Sequence, residues 1–578
     1  MNKPFFYPSP ASLLLVFLYL FTACSPSRQP ENEVRIRFPA DPESLNPISY
    51  QTVQATQVVN LLFQSLLTVD LADNTLQPLL ATRMPEVEKG DSLNRFTYTL
   101  RPEATWDDGK PVTAQDVVFS MKVIQCPLVN NERIRPRYEI IRDIALDKDN
   151  PRKFTIVCQG YTPEMLLLTG DFFILPEATF DPEGHLSSFS IPQLIGQFDS
   201  LAGNERIKSF AERFNSSAFA RDGSVLKGSG GYLLKEWKTG QYLQLEKKPG
   251  WWAEKLGVGY LTARPDRIRA AIIPDNTTAL QQMKSGQLDV LDNIGVNDFN
   301  QLKKDATITA SFNLLTPDTY DVTMMGLNAR SEKLADRRTR QALAHLLDVD
   351  AIIGATQNGY AIPAVGMISP KDSLNFHRKL RPYSYDPDRA VQLLKEAGWQ
   401  QVNGRWEKEI RENRIPLALQ LSYRTGNAAL ENLGTIFQQA AGKVGIPVEL
   451  IPMEGRLLLE KRKNHDFELY LRILGGNPLT TNFNPLFHTE NAIPNGGNDT
   501  DFGTAESDSL IDAINQTEDR SRKAAMLQRF QEIMHEEANV LFLYVSKERL
   551  AVSKRFTNLK VSGLMPGYDV SAFQLKND

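Results

Sequence analysis

Along this chain the apolar positions switch repeatedly between a period of two and a period near 3.6. Val34, Ile36 and Phe38 alternate with Arg35 and Arg37, as in a half-buried strand, and a loop rich in proline and local hydrogen-bonders follows over 39–47. Residues 53–67 place Val58, Leu61, Leu62 and Leu66 on one helical face, and Phe96, Tyr98 and Leu100 then alternate with Thr97 and Thr99 as a second strand. Thr113, with Asp116 three residues on, forms a weak capping box ahead of the apolar Val117, Val118 and Phe119. Asp386, Pro387 and Asp388 open another helix, in which Ala390, Leu393, Leu394 and Ala397 recur at helical spacing until Gly398 supplies a left-handed stop. A helix over 431–441, strands over 446–451 and 467–474, a helix over 521–537 and a strand over 540–545 complete the pattern. His345, inside an apolar helical stretch, is expected in the core. Strands alternating with helices in this way predict an α/β fold.

The N-terminus changes the picture of where the protein works. Lys3 precedes the apolar run Ala11–Ala23, and the small residues Thr22 and Ala23 stand directly before Cys24, which is the layout of a secretory signal peptide over 1–23. Phe21-Thr22-Ala23-Cys24 resembles a bacterial lipoprotein cleavage box, with Phe21 where Leu is usual. That resemblance implies an acylated Cys24 on a polar tether over 25–32, and so a chain anchored on the extracytoplasmic face of a membrane. The apolar run is shorter than the roughly 20 residues a spanning helix needs. Plain secretion and an uncleaved anchor are the alternatives. The rest of the chain has no run of spanning length, which excludes a channel or permease.

A formal net charge of −4 and 42% apolar residues describe a globular chain with no electrostatic case for nucleic acid. Cys126 and Cys158 either pair in an oxidising compartment or remain two buried thiols. None of the six histidines has a partner at metal-ligand spacing, and no Gly-x-Ser-x-Gly occurs. In Asp499-Thr500-Asp501-Phe502-Gly503 the glycine stands one position early for a calcium loop, and Leu510 occupies the place of its final glutamate. No reaction, metal or cofactor is supported.

Residues 100–120, LRPEATWDDGKPVTAQDVVFS, resemble the signature of the family 5 extracellular solute-binding proteins, the binding components of ATP-driven peptide importers. Further similar segments recur in the family's order at 174–177, 228–237, 244–252, 285–289, 326–328 and 337–348. The resemblance implies a two-lobed periplasmic-binding-protein fold of class II, cluster C type, with an extra domain inserted in lobe I. Lobe I would comprise 34–70, 220–318 and 542–578, the inserted domain 71–219 and lobe II 319–541. It further implies a monomer that traps a peptide or related solute by hinge closure and presents it to a permease and ATPase complex in the inner membrane. A non-peptide solute (sugar, metal chelate, opine-like compound) or a sensory role on the same fold is the runner-up, and an extracytoplasmic hydrolase a remote third.

Two loops are implied to meet the ligand. Asp41, Pro42 and Ser44 belong to the lobe I loop, while Gly476, Asn477 and Pro478 belong to the lobe II loop that usually offers an aspartate to the ligand's ammonium. Here Asn477 stands where the acid is expected, and Ile473 and Leu474 replace the usual Trp before the loop. Either Asp41, Glu43 or Asp499 supplies the charge, or the ligand is not an ordinary free peptide. Tyr320, Trp106, Trp251 and Trp252 are the aromatic candidates for the cleft, the last two expected mainly as core.

Overall fold

A computed structural model describes residues 32–162 and 164–576. Cys24, the signal peptide and most of the tether lie outside the described residues. One seven-stranded sheet runs in the order Phe312–Leu315, Leu550–Ser553, Val290–Leu291, Glu33–Phe38, Arg267–Ile272, Tyr242–Lys247, Tyr232–Lys238. A six-stranded sheet runs Ala361–Pro363, Val540–Lys547, Asp318–Leu327, Leu469–Gly475, Leu419–Arg424, Val448–Met453. A four-stranded antiparallel sheet built from residues 86–159 forms the inserted domain with its surrounding helices. The architecture is therefore two α/β lobes plus an insertion.

The first strand shows how burial departs from the simple alternation. Val34, Ile36 and Phe38 are buried, but so are Arg35 and Arg37. The strand pairs in parallel with neighbours on both sides, and such central strands are covered on both faces. Arg35 survives there by a two-pronged pair with Asp289 at 2.8 and 2.9 Å, and Arg37 by donating to the carbonyls of Ile273 and Pro274.

The helix expected over 53–67 ends at Leu62. Phe63 turns extended, with its N–H on the Val59 carbonyl. Gly230 lies against this end: its N–H donates to the Leu62 carbonyl, and a Cβ there would sit 2.3 Å from the Leu61 oxygen. A distant glycine thus stops the helix, and Leu67 opens a hairpin strand instead. The Thr113–Asp116 capping box forms, and Asp386 caps the 387–396 helix through the Arg389 N–H. His345 sits half-buried at a helix C-cap, not in the core, with Nδ1 2.8 Å from the Ser384 carbonyl. Cys126 and Cys158 are free and buried; Cys126 ends a helix with its thiol toward the Pro127 carbonyl, while Cys158 lies on the sheet strand 153–159. Burial pushes both thiols up to about 12.

The chain passes between the two large sheets at residues 316–317 and back at 548–549. The strand Val540–Lys547 pairs with Asp318–Leu327, so it belongs to the second lobe, which moves the expected border at 541/542 toward the C-terminus. The hairpin 67–70/75–78 likewise straddles the expected border at 70/71.

Candidate functional site

The crossings bring equivalent edges of the two sheets together. Strands 33–38, 267–272 and 290–291 run parallel and end on the edge where the chain leaves the first lobe. Strands 419–424, 448–453 and 469–475 run parallel and end on the edge where the chain enters the second. Carboxyl ends of parallel strands are where α/β sheets bind ligands, and here two such edges flank one cleft.

Beside the cleft lies a cavity of about 520 Å³, within the size range of small-molecule sites. Its wall comes from the first lobe and the inserted domain: the turn Pro47–Tyr50, the helix face Thr56, Gln57 and Asn60, the hairpin strand Thr68–Asp70, and Arg133, Arg137, Tyr138 and Asp171–Phe173. Trp251, Tyr260, Lys560 and Tyr568–Ser571 close the far side. Two charged groupings stand in this wall. In the first, Arg137 meets Asp171 at 3.1 Å, and Arg133 lies 5.4 Å from the Tyr50 ring centroid while donating to the Tyr50 carbonyl. Burial raises the Asp171 carboxyl even though the Arg137 charge opposes it. In the second, Lys560 pairs with Asp70 at 2.8 Å. Asp569 accepts from the Ser571 N–H and hydroxyl, and burial raises its carboxyl too. The aromatic residues Tyr50, Phe173, Tyr260 and Tyr568 also line the cavity. Such a wall can hold a small solute that carries both charges, or several carboxylates, on an apolar body.

The second lobe touches this wall at its rim. The Tyr320 hydroxyl accepts from Asn74 Nδ2 at 2.9 Å, and Asn74 Oδ1 in turn accepts from the Ser562 hydroxyl at 2.6 Å. One side chain therefore joins the hairpin turn, the C-terminal segment and the strand that follows the hinge. Gly476 donates its N–H to the Tyr320 carbonyl, and a Cβ there would lie 2.5 Å from that oxygen, so the close approach of loop and strand requires glycine. Asn477 uses its amide oxygen to accept from the Leu479 N–H, and Pro478 continues the exposed turn. Asn477 is thus committed to shaping the loop.

None of the three carboxylates considered as substitutes is free. Asp41 accepts from the Trp237 indole and the Gly240 N–H, both at 2.7 Å. Glu43 caps the turn at Gln51 and Thr52. Asp499 is paired with Arg462 and accepts from the Tyr470 hydroxyl. Pro42 is buried and Ser44 accepts from the Asn46 N–H, so the 39–47 loop is tied into the first lobe, and the cavity is met only from Pro47 onward. Trp251 is buried, Trp252 half-buried, and both indoles donate to the Ser229 carbonyl. Trp251 also reaches the cavity wall, and Trp106 belongs to the inserted domain's turn at 106–110.

The carboxylate that sequence reasoning missed is Asp321. It stands opposite Gly475 in the sheet register, next to Tyr320. Its carboxylate has no hydrogen-bond or ion-pair partner among the described residues, and it is exposed, yet burial raises it above the usual range. The missing signal was register: nothing local says that Asp321 falls beside the 475–478 loop. Asp292, just after strand 290–291, is half-buried; burial and the Glu548 charge push it up to about 6 although the Arg37 charge opposes them.

A family model described as bacterial extracellular solute-binding proteins, family 5 (middle part), matches residues 75–493. The oligopeptide-binding protein AppA of Bacillus subtilis is 23% identical over 98% of this chain and 98% of its own. The dipeptide-binding protein of Escherichia coli is 23% identical over 87% of each chain. Among solved structures, AppA in complex with a nonapeptide aligns with a TM-score of 0.67 at 21% identity, covering 94% of this chain and 99% of that one. NikA from Brucella suis in complex with Fe(III)-EDTA aligns with a TM-score of 0.71 at 19% identity, covering 94% of this chain and 100% of that one. At these identities the structural likeness establishes the shared fold.

Proposed function

The chain belongs to the family 5 bacterial extracellular solute-binding proteins, and on that premise we propose that it captures a short peptide, or a chemically similar zwitterion, for an ATP-driven importer. Members of this family are binding proteins of transport systems. The observation that carries the reading is the cavity of about 520 Å³, whose wall holds both the Arg133/Arg137–Asp171 group and the Asp70–Lys560/Asp569 group. A buried ammonium needs a charged partner, since an unpaired charge costs several kcal/mol. Asp321 is the carboxylate left available for it on the second lobe, where Asn477 cannot serve. A ligand touching both Asp321 and the first-lobe wall would favour the closed form, because only differential affinity shifts such an equilibrium. Permease and ATPase would then receive the closed, loaded protein.

Native mass spectrometry of the freshly purified chain gives the mass of any retained solute, and a thermal-shift panel of di- to pentapeptides tests the class. Absence of any shift, together with a non-peptide mass, would overturn the peptide assignment. The exposed guanidinium of Arg133 and its neighbour Arg137 favour one second reading, a polycarboxylate or metal chelate. NikA is similar in fold and its solved complex holds Fe(III)-EDTA. Titration with such a chelate separates the two.

The same reading places the chain on a membrane through an acylated Cys24, as the Phe21–Cys24 segment suggests. No helix among the described residues is long and apolar enough to cross a membrane. Several acyl chains hold far more strongly than one. Membrane retention of an exported C24A protein would refute it.

A further inference from the structure

The inserted domain meets the second lobe directly. Glu164, at the start of the 165–170 helix, accepts from the Thr480 hydroxyl and, at 3.3 Å, from Asn482 Nδ2. Lys523 of the 520–537 helix faces the same carboxylate; burial lowers its ammonium while the Glu164 charge holds it up. Glu518 is paired with Lys89, and Tyr161 donates to it at 3.4 Å. Lys89 in turn lies 4.0 Å from the Tyr161 ring centroid. Residues 480 and 482 continue the loop whose 476–478 segment stands beside Asp321 and Tyr320. Asn482 is itself fixed from behind, since its Oδ1 accepts from Asn515 Nδ2 and from the Asn484 N–H. Two groups of side chains thus tie the insertion to the far side of the cleft, one of them on the loop that borders the site.

We infer that Glu164 is a positioning residue for solute capture, with the inserted domain acting as a clasp that holds the 476–482 loop over the cleft. The charges favour Glu164 over the second group as the main hold. Lys89 and Glu518 are 42% and 65% exposed, and exposed pairs contribute little. Glu164 is half-buried and gathers two donors, and hydrogen bonds to a charged acceptor are the stronger kind. Hinge bending would have to break this group before the cleft opens. The clasp therefore has to open for entry as well as for release. It goes beyond the assignment of the solute, because the clasp exists whatever the cleft binds.

Amide hydrogen exchange over 476–482 in the solute-free full chain tests it without a known ligand. E164A is expected to speed exchange in that segment about tenfold and E164Q about threefold, with exchange in the strand Lys153–Gln159 unchanged. T480V removes a donor from the opposite side and is expected to act in the same direction, with the double variant no faster than E164A alone. Small-angle scattering should show the E164A chain expanded. Unchanged exchange over 476–482 in E164A and T480V would overturn the clasp. So would faster exchange throughout the inserted domain, which marks a folding role instead. If E164A does not fold, T480V and E164Q carry the same comparison. Loss of the clasp with solute binding intact, or the reverse, separates this inference from the assignment of the solute.

Discussion

The two sides of the cleft treat charge in opposite ways. On the first-lobe side Lys560 and Asp70 keep 10% and 16% of their side chains exposed and satisfy one another, with Asp569 beside them held by Ser571. On the second-lobe side Asp321, opposite Gly475 at the edge where the parallel strands end, has no partner among the described residues. A paired, buried group is a structural commitment, since removing one member strands the other. An unpaired group gains little for the fold and is available to something that arrives later. The difference separates residues that build the site from residues that read its contents.

Four perturbations can break or sharpen that distinction, in decreasing order of expected effect. K560M leaves Asp70 and Asp569 without their cation and is expected to cost about 3–5 kcal/mol of stability in urea unfolding. A loss under about 1 kcal/mol would mean the grouping is hydrated and not structural. Asp292 is the intermediate case, half-buried, with the Arg37 charge only partly offsetting its burial. Its carboxyl, raised to about 6, binds its proton more tightly in the folded chain than in the unfolded one. Its contribution is therefore favourable below the unfolded value near 4, declines as pH rises through 6, and is a full penalty above about 7. D292N should stabilise the protein by about 2–3 kcal/mol at pH 8 and by nothing at pH 4. Equal effects at both pH values would remove the charge explanation.

D321N comes third. Stability should move by no more than about 0.5 kcal/mol, while affinity for the retained solute falls about tenfold or more, read by calorimetry. Lost stability with unchanged affinity would place Asp321 among the builders. Y320F is the smallest: it deletes the acceptor for Asn74 and should cost about 1 kcal/mol in thermal unfolding. A neutral result would show that the hairpin turn is held through Ser562 alone.

Much of the fold was legible from local pattern. The capping residues Thr113 and Asp386 stand at observed helix starts, because a cap is a contact between near neighbours in sequence. The helix expected over 431–441 runs over 428–443, and the strand expected over 446–451 over 448–453, shifts of the size that end fraying produces. The failures share a cause. The first helix ended early because Gly230 packs against it from far along the chain. The last lobe border moved because strand 540–547 pairs with the distant strand 318–327 inside the second lobe's sheet.

What the amino-acid sequence determined by itself was the class of fold and the family, since periodicity, caps and contiguous motifs are all local. Tertiary structure alone decided which charges are spent and which are free. Asp41, Glu43 and Asp499 look as available as Asp321 on paper, yet indole, backbone and guanidinium donors occupy the first three. It also decided that the cavity wall comes from segments as distant as Tyr50, Asp171 and Asp569. Availability depends on what the rest of the chain brings within about 3 Å of a carboxylate, and no window of sequence contains that distance.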